Sequence, residues 1–243
     1  FMREVKVVIL YIFSVLFLCQ CDFNRKQNKK NEIIEDTIIK TKKIKPHNPK
    51  IEKKKEKKEK SIVLNDKNAI PFFFKYQKEN LENKVRISTR FGNIDIKLFE
   101  NTPYHRANFI YLTKKGYFNN TTFHRVVPDF IIQGGNSDRY ETSKKRNEIG
   151  KYLLPPDTNK GHKHHRGVIS MPSSEIENPH KLASPYEFFI VQQNPGAYHL
   201  DGSYTAFGKV IVGMEVVDKI NKQRTDKRET PLTNVFINIS ILE

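Results

Sequence analysis

The sequence predicts a mainly β domain, an antiparallel sandwich or barrel whose ends are plugged by two helices, and three observations predict it. Apolar residues alternate with period two in several short runs between residue 61 and the C-terminus. Only two segments in that region carry a helical period with start and stop residues. Both cysteines, Cys19 and Cys21, lie near the N-terminus, so no disulfide framework stands in for a core. With 243 residues and 37% hydrophobic content, the chain holds enough apolar surface for one substantial core.

The elements follow in order. In "VRISTRFGNIDIKLF", Val85, Ile87, Thr89 and Phe91 alternate, then Ile94, Ile96 and Leu98, with Gly92-Asn93 at the break, which reads as a hairpin. "NTPYHRANFIYLTKKG" reads as a helix with Thr102 as N-cap, Pro103 at its first position and Gly116 just beyond its end. Ala107, Ile110 and Tyr111 share one of its faces. In "GMEVVDKINKQ", Met214, Val217 and Ile220 line a second helical stripe. "VFINISIL" closes the chain as a strand with Val235, Ile237, Ile239 and Ile241 on one side. Closure into a barrel removes the exposed edges of so many strands.

The segments before this domain are of another kind. Arg3 and Lys6 precede an apolar run from Val7 to Leu18, short for a membrane span of about 20 residues but suited to a secretory signal. Residues 1–21 resemble a bacterial lipoprotein signal, because Leu18 stands three residues before Cys21, the residue such a signal would lipidate. Gln20 replaces the usual small residue before that cysteine, and an uncleaved anchor is the competing expectation. Residues 22–60 carry 15 basic and 7 acidic residues and no glycine, and they read as a disordered Lys-rich linker. Residues 61–83 form an extension leading into the domain at 84–243. An exported, membrane-anchored, extracytoplasmic protein is the expectation.

Charge excludes less than it first implies. The chain has 43 Lys and Arg against 27 Asp and Glu, a net +16, but half of that excess lies in the linker. No aromatic residues interleave with those lysines, so nucleic acid is not an expected partner. The cluster "HKHHRG" offers His162, His164 and His165 without an acidic or cysteine partner at ligand spacing, and no metal or cofactor is expected.

The stretch "FHRVVPDFIIQGGN", Phe123 to Asn136, places Arg125 and Gln133 among apolar residues. A buried guanidinium is costly without a partner. On the residues alone, Arg125 pairs with a carboxylate, Gln133 bonds to backbone, and Gly134-Gly135 ends the strand in a tight turn. The stretch also resembles the signature of the cyclophilins, peptidyl-prolyl cis-trans isomerases. The resemblance runs in order through "GNIDIKLFE", "TPYHRANFIYLTKKGYFNNTTFHRVVPDFIIQGGN", "HHRGVISM", "FFIVQ" and "HLDGSYTAFGKVIVGMEVVDKI". It implies a closed antiparallel eight-stranded barrel capped by two helices over 84–243.

It further implies rotation about X-Pro peptide bonds, here during the folding of exported proteins. Arg125 would donate a hydrogen bond to the proline nitrogen, and Gln133 would hold the substrate backbone. Phe130, Ile131, Phe189 and Leu200 would receive the proline ring, with Tyr204 closing the pocket. Pro172 and Ser173 stand where the family has an alanine and an asparagine that grip the peptide, and Tyr186-Glu187 where it has Ser-Gln. His199 stands where the best cyclosporin binders carry tryptophan, so only weak cyclosporin binding is expected. The expected partners are proline-containing polypeptides and a membrane, reached through the N-terminal anchor. A peptide-binding module or chaperone with little catalytic activity is the competing reading.

Overall fold

The structure, a computed structural model, describes residues 62–173 and 178–243. The segments 1–21 and 22–60, with Cys21, lie outside the described residues. Eight strands close into a barrel: β2 (Lys84–Thr89), β3 (Gly92–Leu98), β4 (Thr121–Val127), β5 (Ile131–Asn136), β7 (Val168–Ser170), β8 (Phe188–Val191), β9 (Ala206–Val212) and β10 (Phe236–Ile241). Their order around the barrel is β10-β2-β3-β9-β7-β8-β5-β4, antiparallel throughout. The period-two pattern decides which side chains face the core. Val85, Ile87, Ile94, Ile96, Ile237 and Ile239 all point inward and are buried.

The two anticipated helices are present, α2 (Pro103–Lys114) and α4 (Met214–Asn221). Among the described residues there are two helices besides these, α1 (Ala69–Glu79), which precedes the domain, and α3 (Tyr140–Ile149). Pro71 falls in the first turn of α1, where its missing N–H costs nothing. The aromatic side of α1 packs on α2: Phe72 and Phe73 meet the Tyr111 ring at centroid distances of 5.1 and 5.9 Å. Hence α2 is buried on nearly every side from His105 to Thr113, not on the single face of Ala107, Ile110 and Tyr111. The buried guanidinium of Arg106 fastens the two helices, donating to the carbonyls of Gln77, Asn80 and Glu82 at the end of α1.

Helix α3 buries only Thr142 and Ile149, so no apolar stripe announces it. It runs into a two-residue strand, β6 (Gly150–Lys151), which pairs in parallel with β1 (Leu64–Asn65) of the extension. Gly150 has φ 129°, and a Cβ there would overlap the Leu64 carbonyl oxygen, so the pairing demands glycine.

Two turns differ from expectation. The first hairpin turns at Arg90-Phe91, two residues early, because the Thr89 hydroxyl accepts from the Phe91 amide and donates to the Gly92 carbonyl. Gly134 and Gly135 do not end their strand but lie inside β5. A Cβ on Gly134 would stand 3.0 Å from the Phe123 ring, and one on Gly135 would strike the Tyr186 carbonyl. The two glycines serve close packing rather than a turn.

Candidate active site

Arg125 and Gln133 lie directly opposite each other on β4 and β5. Arg125 Nη1 donates to Gln133 Oε1 at 3.4 Å, and Arg125 Nε donates to Glu229 Oε2 at 2.7 Å. Arg125 therefore has the carboxylate partner that a half-buried cation requires. Gln133 bonds to side chains rather than to backbone: its Nε2 donates to Glu187 Oε2 at 2.9 Å. The other Glu187 oxygen accepts from Asn136 Nδ2 at 3.1 Å, and His124 Nε2 stands 3.5 Å from Oε2. Burial alone would push the Glu187 carboxyl upward. The His124 hydrogen bond and charge, the Gln133 amide and the Arg146 charge together outweigh burial and hold it below the usual range.

His124 and Arg125 are sequence neighbours, yet both line the same cleft. Strict alternation would send one of them inward. The β4–β5 register shifts between Phe123 and Arg125, so that two residues of β4 face one of β5, a β-bulge. That bulge turns both side chains outward.

Beside this polar pair lies a small apolar cluster separate from the main core. Ile131, Phe189, Val191 and Ala197 are buried in it, and Phe130, Leu200 and Tyr204 pack against them half-exposed. The Tyr204 ring meets Phe189 edge-on at 5.9 Å. Phe130 sits on the β4–β5 turn, which the Asn221 side chain at the end of α4 secures through Asp129 N, Val127 O and Ile131 O. Leu200 ends a short 3-10 turn, Tyr198–Leu200. Asp201, next in line, accepts from the backbone N–H of His164 at 2.8 Å, and its carboxylate meets His164 Nδ1 at 2.7 Å. The buried His164 ring lies parallel to Phe189. Burial lowers its pKa, although Asp201 pulls the other way.

Polar pair and apolar cluster face one cleft of 1010 Å³, whose lining includes nine of the ten expected site residues: Arg125, Gln133, Phe130, Ile131, Pro172, Ser173, Phe189, Leu200 and Tyr204. His199 is the exception. It is exposed and stacks on Phe130 at a centroid distance of 5.3 Å, outside the cleft wall. Ser184 N donates to the Pro172 carbonyl at 2.8 Å, so Pro172, without an N–H, has its carbonyl bonded as well. The cleft continues past Glu187 to Arg146, Lys151 and Tyr152, along α3 and β6. The histidines of "HKHHRG" diverge: His162 stacks on Phe99 at 3.8 Å, His164 turns inward, and His165 meets the Tyr198 hydroxyl.

The profile of the family described as cyclophilin type peptidyl-prolyl cis-trans isomerase/CLD matches residues 84–240. The chain belongs to this family. A peptidyl-prolyl cis-trans isomerase of Acinetobacter baylyi is 37% identical over 138 residues, covering 56% of this chain and 70% of that one. A peptidyl-prolyl cis-trans isomerase-like 2 of Rhizopus delemar is 37% identical over 166 residues, 68% of this chain, but this chain spans only 30% of its length. Among solved structures, the cyclophilin type isomerase of Cryptosporidium parvum is 30% identical with a TM-score of 0.56, covering 67% of this chain and 98% of that one. The same protein has been solved in the presence of the dipeptide Ala-Pro, with a TM-score of 0.55.

Sequence reasoning missed Glu229, Asn136, His124 and Arg146 around this cyclophilin cleft. For Glu229 no local signal existed, because 104 residues separate it from Arg125. Glu187 had one: it breaks the family pattern beside "FFI".

Proposed function

We propose that Arg125 is the catalytic residue of this cyclophilin-type peptidyl-prolyl cis-trans isomerase, with Gln133 holding the substrate backbone. The X-Pro amide rotates slowly because resonance gives its C–N bond double-bond character, with a barrier of about 18–20 kcal/mol. At the twisted midpoint that resonance is lost and the proline nitrogen regains a lone pair. A guanidinium N–H directed at that nitrogen binds the midpoint and not the planar ends, and such differential binding lowers the barrier. No bond to the protein forms. Gln133 still has one N–H and one oxygen lone pair unused after its contacts with Glu187 and Arg125, enough to grip a peptide unit. The proline ring would sit on Phe130, Ile131, Phe189 and Leu200 beside Tyr204, where exclusion of water strengthens the Arg125 bond.

The observation that carries this reading is Arg125 opposite Gln133 at the edge of the Phe130–Phe189 cluster, in one cleft. The related structure studied with Ala-Pro supports proline-containing peptides as the ligand class. The test is turnover of a proline tetrapeptide by the wild type and by Arg125→Ala. Loss of one preorganised donor should cost about 10²-fold in rate. An unchanged rate in the variant overturns the assignment, and a wild type that binds the peptide without turnover favours the binding module. We also propose that residues 1–21 export the chain and tether it to a membrane at Cys21, so that it acts on exported proteins. The order of charged start, apolar run, cysteine and Lys-rich linker supports this.

A further inference from the structure

The guanidinium of Arg125 is fixed at two points, and only one of them is Gln133. Its Nε donates to Glu229 Oε2 at 2.7 Å, the shorter of the two bonds by 0.7 Å. Contact at Nε sets the roll of the guanidinium plane. With Nη1 turned to Gln133, Nη2 has no hydrogen-bond partner among the described residues. An arginine held at Nε and Nη1 keeps its Nη2 for a ligand.

Glu229 is itself held firmly. It lies between α4 and β10, in a loop organised by Asp226, whose carboxylate accepts from the N–H groups of Arg228 and Thr230. The Glu229 carbonyl accepts from Val126 N at 2.8 Å, so the loop runs along β4 beside Arg125. Two features argue against a purely structural role. The Arg125 and Glu229 side chains are 40% and 38% exposed, and ion pairs so wet contribute little to stability. Glu229 also has φ 65°, a left-handed conformation that suits glycine or asparagine, and glutamate adopts it at a cost. The backbone would be better served by another residue, whereas the side chain meets the catalytic arginine.

We propose that Glu229 is a positioning residue for the isomerisation: it orients Arg125 before the substrate arrives, so that the free N–H groups face the proline nitrogen. The proposal rests on the assignment of Arg125 as the catalytic residue. It is tested on the full chain in detergent with Glu229→Gln, Glu229→Asp and Glu229→Gly, measuring kcat, KM and the thermal unfolding midpoint, with Arg125→Ala as reference. Glu229→Gln should lower kcat about tenfold, as misplacement of a reacting group does, with KM within about twofold of the wild type. Glu229→Gly should lose as much kcat while its midpoint holds or rises, because glycine relieves the left-handed backbone. Glu229→Asp should recover part of the rate. Unchanged kcat in Glu229→Gln, or a kcat that falls only as the midpoint falls, overturns the proposal. If Arg125→Ala keeps the wild-type rate, the underlying assignment fails as well. If Arg125→Ala is slow and the Glu229 variants are not, only the positioning role falls.

Discussion

His105 makes the stability of this domain fall in mild acid, by an amount that can be worked out. It lies in the first turn of α2, fully buried, and neither ring nitrogen has a hydrogen-bond partner among the described residues. Burial holds its pKa down at about 3, against 6.5 for the free side chain. Between those two values the unfolded chain takes up a proton that the folded chain refuses. The unfolded state then binds more protons, so stability rises with pH and is lost as pH drops through 6.5. The full slope is about 1.4 kcal/mol per pH unit, and integrating from pH 7 to pH 5 gives a loss of about 2 kcal/mol. The experiment is urea unfolding of the wild type and of His105→Leu at several pH values in that range. The variant removes the titrating group and two unpaired buried nitrogens, so it should lose about 2 kcal/mol less between pH 7 and pH 5. Every other titrating group is common to both proteins and cancels in the comparison. Equal pH slopes would show that the ring finds a way to carry its proton inside, and the argument would fail.

Three further outcomes are expected. Glu187→Gln leaves one acceptor where the carboxylate offers two, so an N–H of Gln133 or Asn136 loses its partner and kcat/KM should fall about fivefold, roughly the value of one net hydrogen bond. Because the Glu187 carboxyl is held below its ordinary 4.5, the wild-type network persists above that pH and is lost as pH falls below it; an unaltered acid limb in the variant's pH–rate profile would sink this account. His199→Trp should tighten cyclosporin binding at least about tenfold over a weakly binding wild type, since an indole adds apolar area and an N–H beside Phe130, and tight binding by the wild type in a titration would refute it. Cys21→Ser should move the full chain from the detergent to the aqueous phase or leave an uncleaved precursor, whereas Cys19→Ser should do neither; an unchanged partition would make residues 7–18 the anchor.

What the sequence made legible, and what it hid, divides along the range of the interactions. Strands β2, β3 and β10 were legible because their apolar residues recur with period two, whereas β7 and β8 are buried at every residue, show no alternation, and were reached only through the family resemblance. Helix α2 announced itself through Pro103 and Gly116. Helix α1 did not, because its reason for existing is the ring cluster with Tyr111 and the Arg106 clasp, both formed with a segment some 30 residues away. Helix α3 lacks any apolar stripe, and its place is fixed by the β1–β6 pairing at Gly150. Arg125, Gln133 and the apolar pocket were named through a resemblance to a family. Period and composition alone said only that Arg125 needs a carboxylate, and could not say which one.

The bulge in β4 explains how one short stretch can supply so much of the site. In a regular strand Arg125 would share its face with Phe123, which is buried at 1% exposure, and His124 would point the other way. The extra residue at the bulge breaks that phase. Phe123 stays inside against Gly134, the only kind of residue that leaves room for its ring there. His124 and Arg125 both turn to the cleft, each toward its own carboxylate, His124 to Glu187 and Arg125 to Glu229. The carboxylates come from distant parts of the chain, one at the start of β8 and one from the loop before β10, so the barrel must close before the two side chains meet them. Closure fixes the register, and a one-residue slip of β4 would exchange core for cleft at every position. The geometry proposed for catalysis is thus a property of the closed barrel. The permanent cation in an apolar run is tolerated because barrel closure brings it both a partner and access to solvent.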